Sequence, residues 1–355
     1  GRGYTLHEYD SDGNLYYYGK YQSTSAWSAD GLSVTIGSGD HYVAKRWANG
    51  TWAWVVPLDS SSTTMGAMSI DGSGNTYVTG HRTSGGLDLP GAEHDLPSRE
   101  AAFFVSLDTN GSIRWSQDAY ISGSNDANWH VSIQASINNY GFTRMSVNET
   151  TGNLTVVGQI STNSVSYRTV TFGDVTMEIP STNYNYYRPF VVRINSTGNF
   201  SWATTVTPVS SSHRTLQGMG VHDDGSVEVL MRAYGDTQLG DYAVGNDTYH
   251  YVIGRINGTG AWTGASKITS PAGFDGGYDS AMMQATPSGD LIMAFWSVND
   301  LSSLNITGSV SWFNETCDDS LVVMRLSGAE WTTEASREFC PVSYTHLRAH
   351  ETRGN

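Results

Sequence analysis

The sequence predicts an all-β chain, a β-propeller with about five visible four-stranded blades. Three observations carry that expectation. A two-hairpin unit recurs five times, the apolar runs within it are short and rich in β-branched and aromatic residues, and no long segment carries apolar residues at the three-and-four spacing of a helix. Each unit opens with a strand, a Gly-centred turn and a second strand, as in MSIDGSGNTYVTG around Gly74. After a variable stretch it closes with a second hairpin ending on a Trp, as in AAFFVSLDTNGSIRW at Trp115. The first marker falls at Gly13, Gly74, Gly152, Gly225 and Gly289, and the second at Trp54, Trp115, Trp202, Trp262 and Trp331. Successive units repeat at roughly 60 to 87 residues, which suits four strands each and about twenty in all.

The units run approximately over 5–60, 65–120, 143–206, 217–268 and 280–340, giving one propeller over 1–342. Their strands follow from local chemistry. The runs Phe103 to Leu107, Phe190 to Ile194 and Leu321 to Leu326 combine β-favouring residues with turn signals at their ends. Asn49-Gly50, Asn110-Gly111 and Asn257-Gly258 supply the positive φ values that tight hairpins need.

Two stretches resemble a known repeat. Phe104-Val105-Ser106-Leu107-Asp108-Thr109-Asn110-Gly111-Ser112-Ile113-Arg114-Trp115 and Asp71-Gly72-Ser73-Gly74-Asn75-Thr76-Tyr77-Val78-Thr79-Gly80 look like the two halves of the seven-bladed β-propeller (SBBP) repeat of secreted and surface proteins from environmental prokaryotes. Tyr42-Val43-Ala44-Lys45 and Gly276-Gly277-Tyr278-Asp279 echo other parts of that pattern. The resemblance covers most of 6–340, strongest in the first two units. It implies a propeller and carries no catalytic residue across. The run Leu107 to Trp115 is also similar to the tryptophan-docking repeat of quinoprotein dehydrogenase propellers, where the motif locks blades together.

The last stretch, Ser343 to Asn355, resembles a translated sequencing adapter and is expected to be a non-native tail. Its His346, His350 and Glu351 imitate a metal motif without the helix or third ligand that zinc requires. No metal or other cofactor is expected. The one calcium candidate is Asp10-Ser11-Asp12-Gly13-Asn14, which lacks the later bidentate Glu of a calcium loop and recurs elsewhere as a plain turn.

A net charge of −15 with only 19 basic residues repels a phosphate backbone, so nucleic acid is not an expected partner. No apolar run reaches a membrane-spanning length. Ten N-x-[ST] sequons, at Asn49, Asn110, Asn148, Asn153, Asn195, Asn199, Asn246, Asn257, Asn305 and Asn314, point to an extracellular or cell-surface glycoprotein. Asn-Gly-Thr is also good turn chemistry, which accounts for Asn49, Asn110 and Asn257 but for few of the others. Cys317 and Cys340 stand about equally far from the turn at Ser327-Gly328 and are expected to form a cross-strand disulfide.

Alternating strand direction puts the short hairpin turns on one face and the long connections on the other, and function belongs with the long connections. On that face Trp129, His130, Tyr184, Tyr186, Tyr187, Tyr278 and Trp312 are candidate aromatic platforms for a surface glycan or a protein. Glu93-His94-Asp95 with Glu100 is the densest acid-base cluster, more often a solvated loop tip than a catalytic centre. No nucleophile elbow or phosphate loop is present. The expected role is a binding or structural module with no assigned catalytic residue. The rival is a propeller enzyme, either quinoprotein-like or carbohydrate-active.

Overall fold

The structure, a computed structural model, describes residues 5–21, 24–58, 63–97, 99–122, 130–132, 144–162, 168–179, 186–208, 214–245, 249–269, 280–286, 288–297, 303–306, 309–312, 320–327 and 331–339. Blade 1 comprises β1 (Thr5–Tyr9), β2 (Leu15–Lys20), the hairpin β3 (Ser25–Ala29) and β4 (Leu32–Ile36), then β5 (His41–Arg46) and β6 (Trp52–Leu58). Blade 2 comprises β7 (Thr63–Ile70), β8 (Thr76–Arg82), β9 (Ala101–Leu107) and β10 (Ile113–Ser122). Blade 3 comprises β11 (His130–Ser132), β12 (Arg144–Val147), β13 (Leu154–Thr162), the hairpin β14 (Arg168–Phe172) and β15 (Val175–Ile179), β16 (Tyr186–Ile194) and β17 (Phe200–Thr205). The two-residue β18 (Thr207–Pro208) precedes blade 4: β19 (Arg214–Val221), β20 (Val227–Tyr234), the hairpin β21 (Thr237–Leu239) and β22 (Tyr242–Val244), β23 (Tyr249–Ile256) and β24 (Trp262–Thr269). Blade 5 comprises β25 (Ser280–Ala285), β26 (Leu291–Ser297), the hairpin β27 (Ser303–Ile306) and β28 (Ser309–Trp312), β29 (Ser320–Ser327) and β30 (Thr332–Phe339).

The chain is thus all-β, with one 3-10 turn at Ala92–His94 as the only helical element among the described residues. Each blade is a four-stranded antiparallel meander in chain order, the construction of a propeller blade. The expectation of about twenty strands is corrected to thirty among the described residues. The excess lies mainly in stretches read as plain loops, where β3–β4, β14–β15, β21–β22 and β27–β28 are hairpins.

The described chain divides into two compact units. One holds Gly1–Thr207 with the turn Thr259–Ala261, and the other holds Pro208–Gly258 with Trp262–Asn355. In the first, blade 1 buries Tyr16, Tyr18, Val43, Trp54 and Val56 against Ile70, Val78, Phe103, Val105 and Leu107 of blade 2. Blade 2 then buries Tyr77, Phe104, Trp115 and Ala119 against Leu154, Val156, Phe190, Val192 and Ile194 of blade 3. In the second, Leu230, Tyr251 and Ile253 of blade 4 meet Met283, Met293, Phe295, Val322 and Met324 of blade 5. Period-2 alternation explains why both faces are apolar: every blade with two neighbours must bury both.

The Gly and Trp markers act together. The second hairpin of every blade carries a register shift at the same place, for example between Lys45 and Arg46, between Ile113 and Trp115, and between Arg193 and Ile194. In the first unit this bulge re-aims the Trp towards the next blade. Trp54 Nε1 donates to the Thr109 carbonyl at 2.9 Å, and Trp115 Nε1 donates to the Ser196 carbonyl at 3.2 Å. The indoles lie flat on Gly111 and Gly198, where a Cβ would come within 2.8 and 2.7 Å of the ring. Both glycines also hold positive φ, at 86° and 92°.

The equivalence drawn from Trp262 and Trp331 needs correction. Arg255 pairs with Gly264 and Arg325 with Ala335, so these two small residues occupy the ladder position that Trp54 holds opposite Lys45. Trp331 instead comes from the blade 5 turn and reaches back to the space beside Gly264, where a Cβ would sit 3.3 Å from its ring. It lies 5.4 Å from the Arg255 guanidinium, much as Trp202 lies 5.6 Å from that of Arg193. The same volume is filled from the opposite side. Trp331 is 4% exposed and holds φ at 49°, an unusual backbone for a bulky residue.

Candidate functional site

Turn chemistry fixes which end of each blade stays simple. The Asp10 carboxylate accepts from the Asp12 and Asn14 amides, the Asn14 side chain and the Tyr16 hydroxyl. Asp71 repeats this with Ser73, Asn75 and Tyr77. The Asp10 carboxylate is therefore engaged by its own turn. Among the sequons, the side-chain Oδ1 atoms of Asn49 and Asn195 each accept from the amide and hydroxyl of the Thr two residues on, in exposed short turns. Thr155, of the Asn153 sequon, is fully buried.

The opposite, long-connection ends also carry buried polar side chains. His41 lies between the Tyr18 hydroxyl at Nδ1 and the Thr63 hydroxyl at Nε2, 3.0 and 3.2 Å away. Burial, reinforced by Lys20, pushes its pKa down to about 3. In blade 2, β8 ends on His81 and Arg82, both buried, and β10 supplies Asp118. Arg82 donates to the Pro97 carbonyl and to Asp118 Oδ2, while Arg99 grips both Asp118 oxygens at 2.8 Å. Burial lowers the Arg82 pKa against the pull of Asp118. The Arg99 guanidinium stacks 3.7 Å above the Tyr120 ring, and His81 Nε2 lies 3.5 Å from Glu100. With two guanidiniums engaging its oxygens, Asp118 ties Arg82 of β8 to the Arg99 loop.

In the Glu93-His94-Asp95 cluster, Glu93 Oε1 lies 3.7 Å from His94 Nε2, while Asp95 turns to the backbone. Glu93 points to solvent at 74% side-chain exposure, Asp95 accepts from the Leu89 amide, and the His94 carbonyl accepts from Ser116. Among the described residues no three His, Cys, Asp or Glu side chains gather as metal ligands.

In blade 4 the same end carries an aromatic pair. Tyr234 closes β20 and Tyr249 opens β23, and the ladder sets them directly opposite. Their rings lie 5.1 Å apart at 55°, Tyr234 is 41% exposed, and the Arg232 guanidinium sits 5.9 Å from the Tyr249 ring. Sequence reasoning missed this pair, because only strand register joins residues at the two ends of a connection.

Of the residues the sequence singled out, Trp129, Tyr184, Tyr278, Cys317 and Cys340 lie outside the described residues, as does the 343–355 tail. His130 and Tyr187 both pair with Ser161, from its two sides, so their backbones share one row of blade 3. Tyr186 pairs with Thr162 next to it, and Trp312 pairs with Ser303 at the open end of β27–β28. The β29–β30 ladder last sets Phe339 opposite Leu321.

No family model and no curated protein matches the chain. Among solved structures it is similar to an alpha-L-arabinanase of Penicillium chrysogenum complexed with arabinobiose, with a TM-score of 0.39 and 11% identity over 95% of this chain and 93% of that one.

Proposed function

We propose that this chain is an extracellular or cell-surface propeller module that binds a glycan through aromatic side chains at the long-connection ends of its blades. The observation that carries the reading is the Tyr234–Tyr249 pair, an exposed ring braced by a second ring and flanked by Arg232. A flat apolar face with polar groups at its rim suits the C–H face and hydroxyls of a pyranose or furanose ring. The row shared by His130 and Tyr187 puts further aromatic and polar positions at the equivalent end of blade 3. The rigid meander beneath supplies preorganisation, and the connections supply variation.

The likeness of 71–80 and 104–115 to the SBBP repeat agrees with a surface role, as do exposed sequons at Asn49 and Asn110. Sugar on these turns would sit away from the binding end. A Cys317–Cys340 disulfide belongs to the same reading, and mass spectrometry of the non-reduced protein tests it through the two-proton loss of an oxidised pair.

The test is a titration of the intact chain with a panel of neutral and acidic oligosaccharides, followed by calorimetry and by product analysis for turnover. Binding without turnover supports the module. Turnover of a bound glycan would transfer the site to the carbohydrate-active alternative, and an absence of binding across the panel would remove the glycan reading.

A further inference from the structure

Blades 1, 2 and 4 share one construction at their hairpin-turn ends. In the turns that open with Asp10, Asp71 and His222, the first residue's amide donates to the carbonyl four residues on, and its own carbonyl accepts from the turn glycine. Six residues after the first, the second strand places Tyr16, Tyr77 or Glu228 at the same position, each fully buried. In blades 1 and 2 the Tyr hydroxyl bridges two turns. It lies 3.2 and 2.9 Å from Asp10 and Asp71, and in both cases 3.4 Å from the carbonyl of the next blade's turn glycine, Gly74 or Gly152. Burial pushes the Tyr77 hydroxyl up to about 12 and raises that of Tyr16 as well, so neither bridge titrates near neutrality.

The joint between blades 4 and 5 exchanges these roles. His222 stands where the two aspartates stand and Glu228 where the tyrosines stand, so the buried side chain is now the acceptor and the turn residue the donor. His222 Nε2 meets Glu228 Oε2, and the other Glu228 oxygen takes Arg255 Nε at 2.5 Å. The second ring nitrogen faces blade 5. His222 Nδ1 lies 4.0 Å from where a Cβ on Gly289 would stand, the place that the Tyr16 and Tyr77 hydroxyls take beside Gly74 and Gly152. The charged groups around the imidazole are Asp224 on its own turn, Glu228 on β20, Arg255 on β23 and Asp290 on the blade 5 turn, itself bonded to Arg325 of β29. The hydrogen bond and charge of Glu228 hold the His222 pKa above its ordinary value, against burial and Arg255.

We propose that His222 is a proton-operated latch of the joint between blades 4 and 5: its imidazolium ties buried Glu228 to the blade 5 turn, and loss of one proton opens that tie. A doubly protonated ring donates from both nitrogens, one towards Glu228 and one towards the Gly289 turn and the Asp290 charge. A neutral ring keeps a single N–H, so one side of the bridge is lost together with the attraction to both carboxylates. Because the folded pKa is raised, the latch is closed below 6.5 and released as pH rises through the folded value.

The experiment follows the His222 ring by NMR through a pH titration of the full chain and reads amide protection factors at Gly289 and Asp290, both bonded to Thr286. Thr151 and Gly152, bonded to Asn148 beside Tyr77, form the reference joint. Protection at Gly289 and Asp290 should fall about fivefold or more with the midpoint of the His222 titration, while the reference changes less than about twofold. His222→Gln, neutral throughout, should abolish the difference. Glu228→Gln should lower the His222 midpoint by about one pH unit or more, a roughly tenfold weaker hold on the proton. An equal pH response at both joints overturns the proposal, as does a response that survives in His222→Gln. An unmoved midpoint in Glu228→Gln overturns it too, and the parent with His222→Gln decides alone where that variant does not fold. No glycan enters the measurement, so its outcome stands apart from the binding reading of blade 4.

Discussion

The Trp54 indole nitrogen donates to the Thr109 carbonyl at 2.9 Å while its ring covers Gly111, so one residue both hydrogen-bonds and packs against the neighbouring blade. Trp115 repeats the arrangement on Ser196 and Gly198. Trp54→Ala removes a buried indole and should cost about 3–5 kcal/mol. Trp54→Phe keeps most of the packing and loses the bond, at about 1 kcal/mol. Gly111→Ala should destabilise as well, because the added methyl meets the ring and the backbone disfavours it. Chemical denaturation of the three variants checks the order; a Trp54→Phe as damaging as Trp54→Ala would contradict it.

The reversed lock at Trp331 makes a stricter demand. Trp331→Gly should destabilise by several kcal/mol through the lost indole, less the relief of an unusual φ. Adding Gly264→Trp to that variant returns an indole to the volume from the other blade and should recover part of the loss. Thermal melts of both singles and the double form the cycle. Purely additive losses would show that the two positions do not share one space.

This lock also shows what the sequence could and could not disclose. The five Gly turns and the β-favouring runs were legible because turn chemistry and alternation are local. Trp262 and Trp331 matched by residue type and spacing, yet Trp262 is the first residue of its strand, opposite Ile256, and Trp331 lies in the turn, so neither holds the ladder position of Trp54. The hairpins were missed for a related reason: β21 and β22 have three residues each, and β14 finds its partner strand in another blade. Tyr234 and Tyr249 meet only through register, so no motif marks them.

In blade 2, Asp118 is the shared anion for buried Arg82 and half-buried Arg99. Asp118→Ala leaves the Arg82 charge uncompensated and should cost about 3–5 kcal/mol. Arg99→Ala, with its partly solvated guanidinium, should cost about 1 kcal/mol. Equal effects from the two, read by urea midpoints, would mean that burial of Arg82 is not what makes the pair matter.

In blade 1 the pH dependence has two components of opposite sign. His41 has a folded pKa of about 3 against an ordinary 6.5, so its contribution is fully present above 6.5 and is lost as pH falls towards 3. Glu8 is pushed by burial up to about 7, against a backbone hydrogen bond from Ile70, so its contribution is fully present below 4.5 and is lost as pH rises through 7. Glu8→Gln should therefore flatten the decline in melting temperature between pH 4.5 and 7. His41→Gln should flatten the acid limb below 6.5. If Glu8→Gln steepens the upper limb, the burial of that carboxyl has been misjudged.

Glycan binding at blade 4 is the central claim, and calorimetry of Tyr234→Ala against the parent chain tests it most directly. Replacing the exposed ring should weaken the best-bound oligosaccharide at least tenfold, about 1.4 kcal/mol, while the melting temperature stays within a degree or two because Tyr234 is largely outside the core. Tyr234→Phe should keep most of the affinity. Unchanged affinity in Tyr234→Ala, with the fold intact, would contradict the account.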